Sequence, residues 1–262
     1  MKNKSYQKKF YSFWKKKSKA INWFNEPKII LKKKDKNFFE WFPDGKLNAA
    51  MNCLEKKSKN KIAIYQIDKK GKVTPYSFYR LREMVFSFSY ILRNLNLKKG
   101  NSRVMIHASS SIESAVSMLS CAQLGFHHCV IFEDLSIHAI QKRISIFKPD
   151  IFITRADECF FNEESNEIIK KLTKNCKLIA FKKFNMKNVL NIKIDQLLGG
   201  KKFCSYRKLK SNHKLFSLFT SGTTGEPKGI THSTGGYLVY AKFTCSKQFG
   251  MRKKSTILTA SD

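Results

Sequence analysis

Residues 103–154 read RVMIHASSSIESAVSMLSCAQLGFHHCVIFEDLSIHAIQKRISIFKPDIFIT. Three short apolar runs stand out: Arg103 to Ala108, Cys129 to Phe132 and Ile151 to Thr154. Each is the length of a strand and bounded by turn or cap residues. Between the first two, Ser110-x-x-Glu113 has the spacing of a capping box, and Ile112, Val116, Leu119 and Ala122 recur at helical period. Gly125 ends that helix. Ser136 opens a second helix that reaches Phe147, and Pro149-Asp150 turns the chain into the third strand. Strand–helix–strand–helix–strand is the rhythm of a parallel sheet with crossover helices, so the fold class is α/β with a βαβ parallel sheet.

The same rhythm extends outward. Lys61 to Ile67 alternates as a strand, Lys69-Lys70-Gly71-Lys72 is a hairpin-like turn, and Ser77 caps a helix with Phe78, Leu81, Val85, Phe88, Leu92 and Leu95 on one face. Lys99-Gly100-Asn101 closes it. Downstream, Glu163 to Lys174 reads as a helix, Lys177 to Phe181 as a strand, and Asn185 to Lys210 as loop with a short helix. Leu215 to Phe219 reads as a buried strand, Ile230 to Ser233 as a second, Gly235 to Gln248 as a helix and Thr256 to Thr259 as a last strand. That strand enters a sheet whose later strands lie outside these residues, leaving an apolar edge open to pairing. The first 45 residues form a helical and irregular extension. They hold Trp14, Trp23 and Trp41 with many Phe and Tyr, which read as anchors lying over the main domain; Asn48 to Lys57 then makes a short helix.

Lys+Arg 51 against Asp+Glu 19 gives a net charge of +32 in 262 residues. Only eight of the basic residues are Arg, the residue that base readout favours, and the lysines are dispersed in twos and threes. The composition is rich in Lys, Asn, Ile and Phe, the skew of A/T-rich codons. These features point to a solvated basic surface and away from specific nucleic-acid recognition. Seven cysteines with no CxxC spacing read as a reduced, intracellular, metal-free chain. No secretory signal is visible. The uncharged run from Ser114 to Phe132 is broken by Gln123, Gly125, His127 and His128, so it reads as buried helix plus strand and not as a membrane span.

The chemistry concentrates in LFSLFTSGTTGEPKGITHSTGGYLVYAKF, residues 215–243. Gly222, Gly225 and Gly229 free the backbone to turn several N–H groups toward one anion. The hydroxyls of Thr220, Ser221, Thr223 and Thr224 add donors, and Lys228 supplies the positive point charge a polyphosphate needs. The Walker A spacing is not met. A Ser/Thr/Gly-rich surface hairpin is the plain alternative for such a string.

TSGTTGEPKG followed by ITHSTGGYLVYA resembles the phosphate-loop signature of the adenylate-forming superfamily, the AMP-forming acyl-CoA synthetases. FWKKKSKAINWF at 13–24 and FFEWFPDGKLNAAMNCL at 38–54 resemble the N-terminal module of acetyl-CoA and propionyl-CoA synthetases. ESAVSMLSCAQLGFHHCVIF and KPDIFI resemble the same subfamily. The resemblance implies an acetyl-CoA-synthetase-like module over residues 1–57 and an AMP-binding domain over 58–262, without the C-terminal lid. It implies ATP with Mg²⁺, a short-chain carboxylate and CoA as reactants in the cytoplasm. Thr220, Ser221, Gly222, Thr223, Thr224, Gly225, Lys228 and Gly229 would hold the phosphates, with no catalytic residue and no protein metal ligand in this stretch.

Two departures shape the expectation. Acetyl-CoA synthetases have Gly-Gly-Phe beside the CoA channel where this chain has Glu133-Asp134-Leu135, whose carboxylates repel an anionic cofactor. The arginines that relatives use for the CoA 3′-phosphate are missing from Asp157 to Asn162, and Arg155 sits at the strand end. The adenine and ribose motifs, the hinge and the lid lysine are not among these residues. The expectation is therefore an N-terminal part that is inactive alone, either half of a split enzyme completed by a second polypeptide or the product of a decayed or frameshifted gene. A free-standing phosphate-binding module and a basic nucleic-acid binder are the alternatives.

Overall fold

The computed structural model describes residues 2–55, 58–95, 97, 102–155, 174, 176–182, 188–200, 203–220, 226–252 and 254–259. The chain runs α1 (Lys2–Ser18), β1 (Leu31–Lys33), β2 (Phe39–Trp41), β3 (Lys46–Leu47), α2 (Ala49–Leu54), β4 (Ile62–Ile67) and β5 (Val73–Ser77). Then come α3 (Phe78–Arg93), β6 (Arg103–His107), α4 (Ile112–Leu124), β7 (His127–Ile131), α5 (Ile137–Phe147) and β8 (Ile151–Thr154). β9 (Lys177–Ala180), β10 (Val189–Asn191), a 3₁₀ turn (Ile194–Leu197), β11 (Leu209–Lys210), β12 (Lys214–Thr220), β13 (Lys228–Ser233) and α6 (Thr234–Lys247) follow.

Seven strands form one sheet in the order β10-β9-β8-β6-β7-β12-β13. Neighbours are parallel except β12 and β13, which form an antiparallel hairpin. Alternation along the strands builds two layers. Val104, Ile106, Ile151, Ile153 and Ile179 face α3 and α4, while Met105, Cys129, Ile131, Phe152 and Leu178 face α5. Both faces of the parallel strands are thus covered, and near-continuous apolar runs are what such strands require.

The caps show local chemistry at work. Ser77 Oγ accepts from the Arg80 N–H at 3.2 Å and Ser136 Oγ from the Ala139 N–H at 3.3 Å, where the sequence places both helix starts. At α4 the cap is Ser111 and not Ser110: its hydroxyl accepts from the Ser114 N–H at 3.2 Å, and Gln66 Oε1 of β4 accepts from the Ile112 N–H at 2.9 Å. With the start shifted by one residue, Glu113 makes no capping box and turns to Arg155. Leu119 is only partly buried, whereas Ser117 and Ser120 of α4 are fully buried and Ser120 Oγ donates to the Val85 carbonyl of α3 at 3.1 Å. Gly125 closes α4 in the left-handed region at φ +73°, and a Cβ there would come within 2.6 Å of Leu209 Cδ2.

Asn48, fully buried, ties the extension to this frame. Its Nδ2 donates to the carbonyls of Ala122, Gln123 and Arg207, each at 3.0 Å, while its Oδ1 caps α2 through the Met51 N–H. Near the N-terminus, Trp14 of α1 packs edge-on against Trp41 at 5.4 Å and Phe243 of α6 at 5.8 Å, so the aromatics do anchor the extension.

Other expectations differ. β12 buries only Leu215 and Ser217, while Leu218 is 45% exposed. Residues 256–259 are exposed and enter no described strand pairing. The stretch 185–210 holds β10, the 3₁₀ turn and β11 within its described residues, more structure than its sequence suggests. The helix expected at 163–174 lies, but for Lys174, outside the described residues. No described helix is long and apolar enough to cross a membrane.

Candidate functional site

The strand order reverses at the centre of the sheet. Chain leaving β6 enters α4 on one face, and chain leaving β7 enters α5 on the other. The carboxyl ends of β6 and β7 therefore border a crevice of the kind where open α/β sheets bind ligands. Because β12 runs parallel to β7, its end at Thr220 emerges on this same edge.

Thr220 and Lys228 face each other across the hairpin, in register, and Thr220 Oγ1 donates to the Lys228 carbonyl at 3.4 Å. Both are exposed. Lys228 thus begins β13, two residues earlier than the sequence suggests. Gly229 pairs with Phe219 in extended strand backbone; it lies outside the left-handed region because β13 already fixes it. Ser221, Gly222, Thr223, Thr224 and Gly225 lie outside the described residues. The far side of the loop touches α5: Glu226 Oε1 meets Lys142 Nζ at 2.8 Å, and the Arg143 guanidinium lies 5.7 Å from the centre of the Phe219 ring.

Glu133 and Asp134 follow β7 on the same edge, but their settings differ. Asp134 is exposed, whereas Glu133 is paired with Arg155, whose Nη1 lies 3.2 Å from Oε2. Arg155 Nε also lies 3.4 Å from Glu113 Oε2, and its Nη1 donates to Ser109 Oγ at 3.3 Å. Glu133 is therefore not a bare repelling charge: with Glu113 it spends the charge of Arg155, the cation that sequence alone leaves available for an anion. The sequence gives no local signal for this cluster, since three separate strand ends bring it together.

On the face away from α5, a cleft of about 300 Å³ opens between Ser109, Ser110, Ser114, Val130, Phe216 and Tyr237. His128 lines it, nearly fully buried, with Nδ1 lacking a hydrogen-bond partner. Burial, and then the neighbouring His127, push its pKa down to about 3. Burial likewise lowers His107 to about 4, against a weaker opposing pull from Glu133. Both rings are neutral at pH 7 and add no positive charge to this edge.

Residues 52–262 match the family described as AMP-binding enzyme, and residues 4–53 match the one described as acetyl-coenzyme A synthetase N-terminus. The chain belongs to the AMP-binding enzyme family. Among its relatives are the acetyl-coenzyme A synthetase of Ralstonia pickettii, 32% identical over 88% of this chain and 37% of that protein, and that of Bartonella bacilliformis, 34% identical over 89% and 39%. The solved structure of acetoacetyl-CoA synthetase from Streptomyces lividans superposes with a TM-score of 0.83 at 20% identity, over 93% of this chain and 39% of that one. The fold is thus shared, and the chain spans less than two fifths of the length of these relatives.

Proposed function

We propose that this chain forms the N-terminal part of an AMP-forming acetate- or propionate-CoA ligase. A carboxylate oxygen attacks the α-phosphorus of ATP, diphosphate leaves, and CoA thiolate then attacks the acyl carbon and displaces AMP. A carboxylate is a poor electrophile until one oxygen becomes a good leaving group, so the first demand on the protein is to hold and orient a triphosphate. The observation that carries the reading is the Thr220–Lys228 hairpin end, set on the carboxyl edge of the parallel sheet in a chain matched from residue 52 onward.

In this reading Thr220, Ser221, Gly222, Thr223, Thr224, Gly225, Lys228 and Gly229 hold the β- and γ-phosphates, with Lys228 as the cation. Residues 1–57 serve as the module that braces the domain over 58–262. Among the described residues no group of three or more His, Cys, Asp or Glu forms a dedicated metal cage, and Glu226 is paired with Lys142; Mg²⁺ held mainly by triphosphate oxygens and water needs no such cage. Mg²⁺ would travel with the triphosphate. CoA is the acceptor, approached without help from Arg155. In this reading the reaction takes place in the cytoplasm.

Contacts to adenine, ribose and the attacking carboxylate come from polypeptide outside these residues, whether a continuation or a second chain. Acetate- and propionate-dependent ATP–pyrophosphate exchange tests this. The pure 262-residue protein is predicted to bind pyrophosphate and to give no exchange. Exchange by that protein alone would contradict the assignment of those contacts to other polypeptide.

A further inference from the structure

β7 and β12 share only two backbone register pairs, Phe216 with His128 and Ser217 with Cys129. A side-chain rung supplements this short seam. His127 Nε2 lies 2.8 Å from Ser217 Oγ, and Ser217 Oγ lies 2.6 Å from Thr231 Oγ1. Ser217 and Thr231 are direct partners across the hairpin, so the rung crosses β7, β12 and β13. It lies on the face of α5, where Phe147 meets the His127 ring edge-on at 5.1 Å. Ser217 is 4% exposed in a strand whose neighbours Phe216 and Leu218 are apolar, and a buried hydroxyl without a partner would be costly.

The position of the rung matters more than its presence. Ser217 stands three residues before Thr220, and Thr231 stands three residues after Lys228. The register pairs between them, Leu218 with Ile230 and Phe219 with Gly229, carry the constraint to the two stem residues. Leu218 and Ile230 are 45% and 50% exposed, so packing there holds the hairpin weakly. A hydrogen-bonded side-chain rung supplies the orientation that packing does not.

We infer that Ser217 is a positioning residue for Lys228: through His127 and Thr231 it fixes the hairpin against the parallel sheet and so aims the Lys228 ammonium at a bound phosphate. The inference rests on the phosphate-binding reading of this hairpin. Ser217 touches no ligand and acts only through the strand pair.

Pyrophosphate titrations of the full chain and its variants test this. Ser217→Ala should weaken binding about tenfold, the scale of one lost charge-assisted hydrogen bond, and Ser217→Thr, which keeps the hydroxyl, should restore most of it. Lys228→Ala should lose a similar factor, and the double variant should lose no more than Lys228→Ala alone, because both changes remove the same contact. Additive losses, or a Ser217→Ala protein that binds like wild type, would overturn the inference. If Ser217→Ala does not fold, Thr231→Val breaks the far link with little change of shape and carries the same expectation. A wild-type protein that binds no pyrophosphate sinks the phosphate reading itself. The hold of the rung on the hairpin is then read from hydrogen exchange of the β12 and β13 amides: faster in Ser217→Ala supports it, and an unchanged rate refutes it.

Discussion

Arg155 is held between Glu113 and Glu133 at the edge where ligands enter α/β sheets. A guanidinium so paired has little left for a ligand anion, whereas removing one carboxylate frees a planar donor fork. Glu133→Gln should therefore strengthen binding of inorganic phosphate or CoA by about threefold to tenfold, the range of one ordinary net hydrogen bond, because Glu113 still holds part of the Arg155 charge. Chemical-shift titration of both proteins measures it; equal affinities would mean that Arg155 is out of reach of the anion. The buried histidines make stability depend on pH. Burial holds His107 and His127 near 4 and His128 near 3, while in the unfolded chain they titrate near the ordinary value of 6.5. Between those values the unfolded state binds more protons, so stability rises with pH. The protein should be most resistant to urea above pH 6.5 and lose stability steadily from there to pH 4. A flat urea midpoint across that range would show that the three rings are hydrated and protonate freely.

Among the elements, α4 shows what sequence tells and what it withholds. Its apolar spacing and Gly125 fix its existence and its end, but not which serine caps it. The choice falls to Ser111 because Gln66, on the distant β4, takes the Ile112 N–H. β10 and β11 are three and two residues long and exist only through their partners β9 and β3, so no local period announces them. Asn48 is the matching case for stability. The two N–H groups of one amide are shared among three carbonyls, two at the end of α4 and one at Arg207 in the approach to β11, in a site with no solvent exposure. Asn48→Ala should cost about 2–4 kcal/mol, the desolvation of more than one orphaned group. Chemical denaturation reads it. A loss under about 0.5 kcal/mol, the size of an ordinary surface change, would mean that water replaces the amide.

For the whole molecule, the α/β class and the hairpin were legible because each rests on a local pattern: period-2 and period-3.6 runs, and a string of glycines and hydroxyls around one lysine. The state of Glu133, the open face of β12 and the Ser217 rung were not, since parallel crossovers bring together residues from distant parts of the chain. The surplus of basic charge has a consequence here too. At +32, any anion binds to some extent through the general field, and that attraction falls as salt rises. We expect binding at the hairpin to be local and not a product of this field. Pyrophosphate titration at about 0.15 M salt, where charges more than about 8 Å apart are screened, measures it in wild type, Lys228→Ala and Lys69→Ala, the last at the exposed β4–β5 turn. Lys228→Ala should bind about tenfold more weakly, with Lys69→Ala close to wild type. Equal losses in the two variants would contradict the account, because only bulk charge would then be holding the ligand.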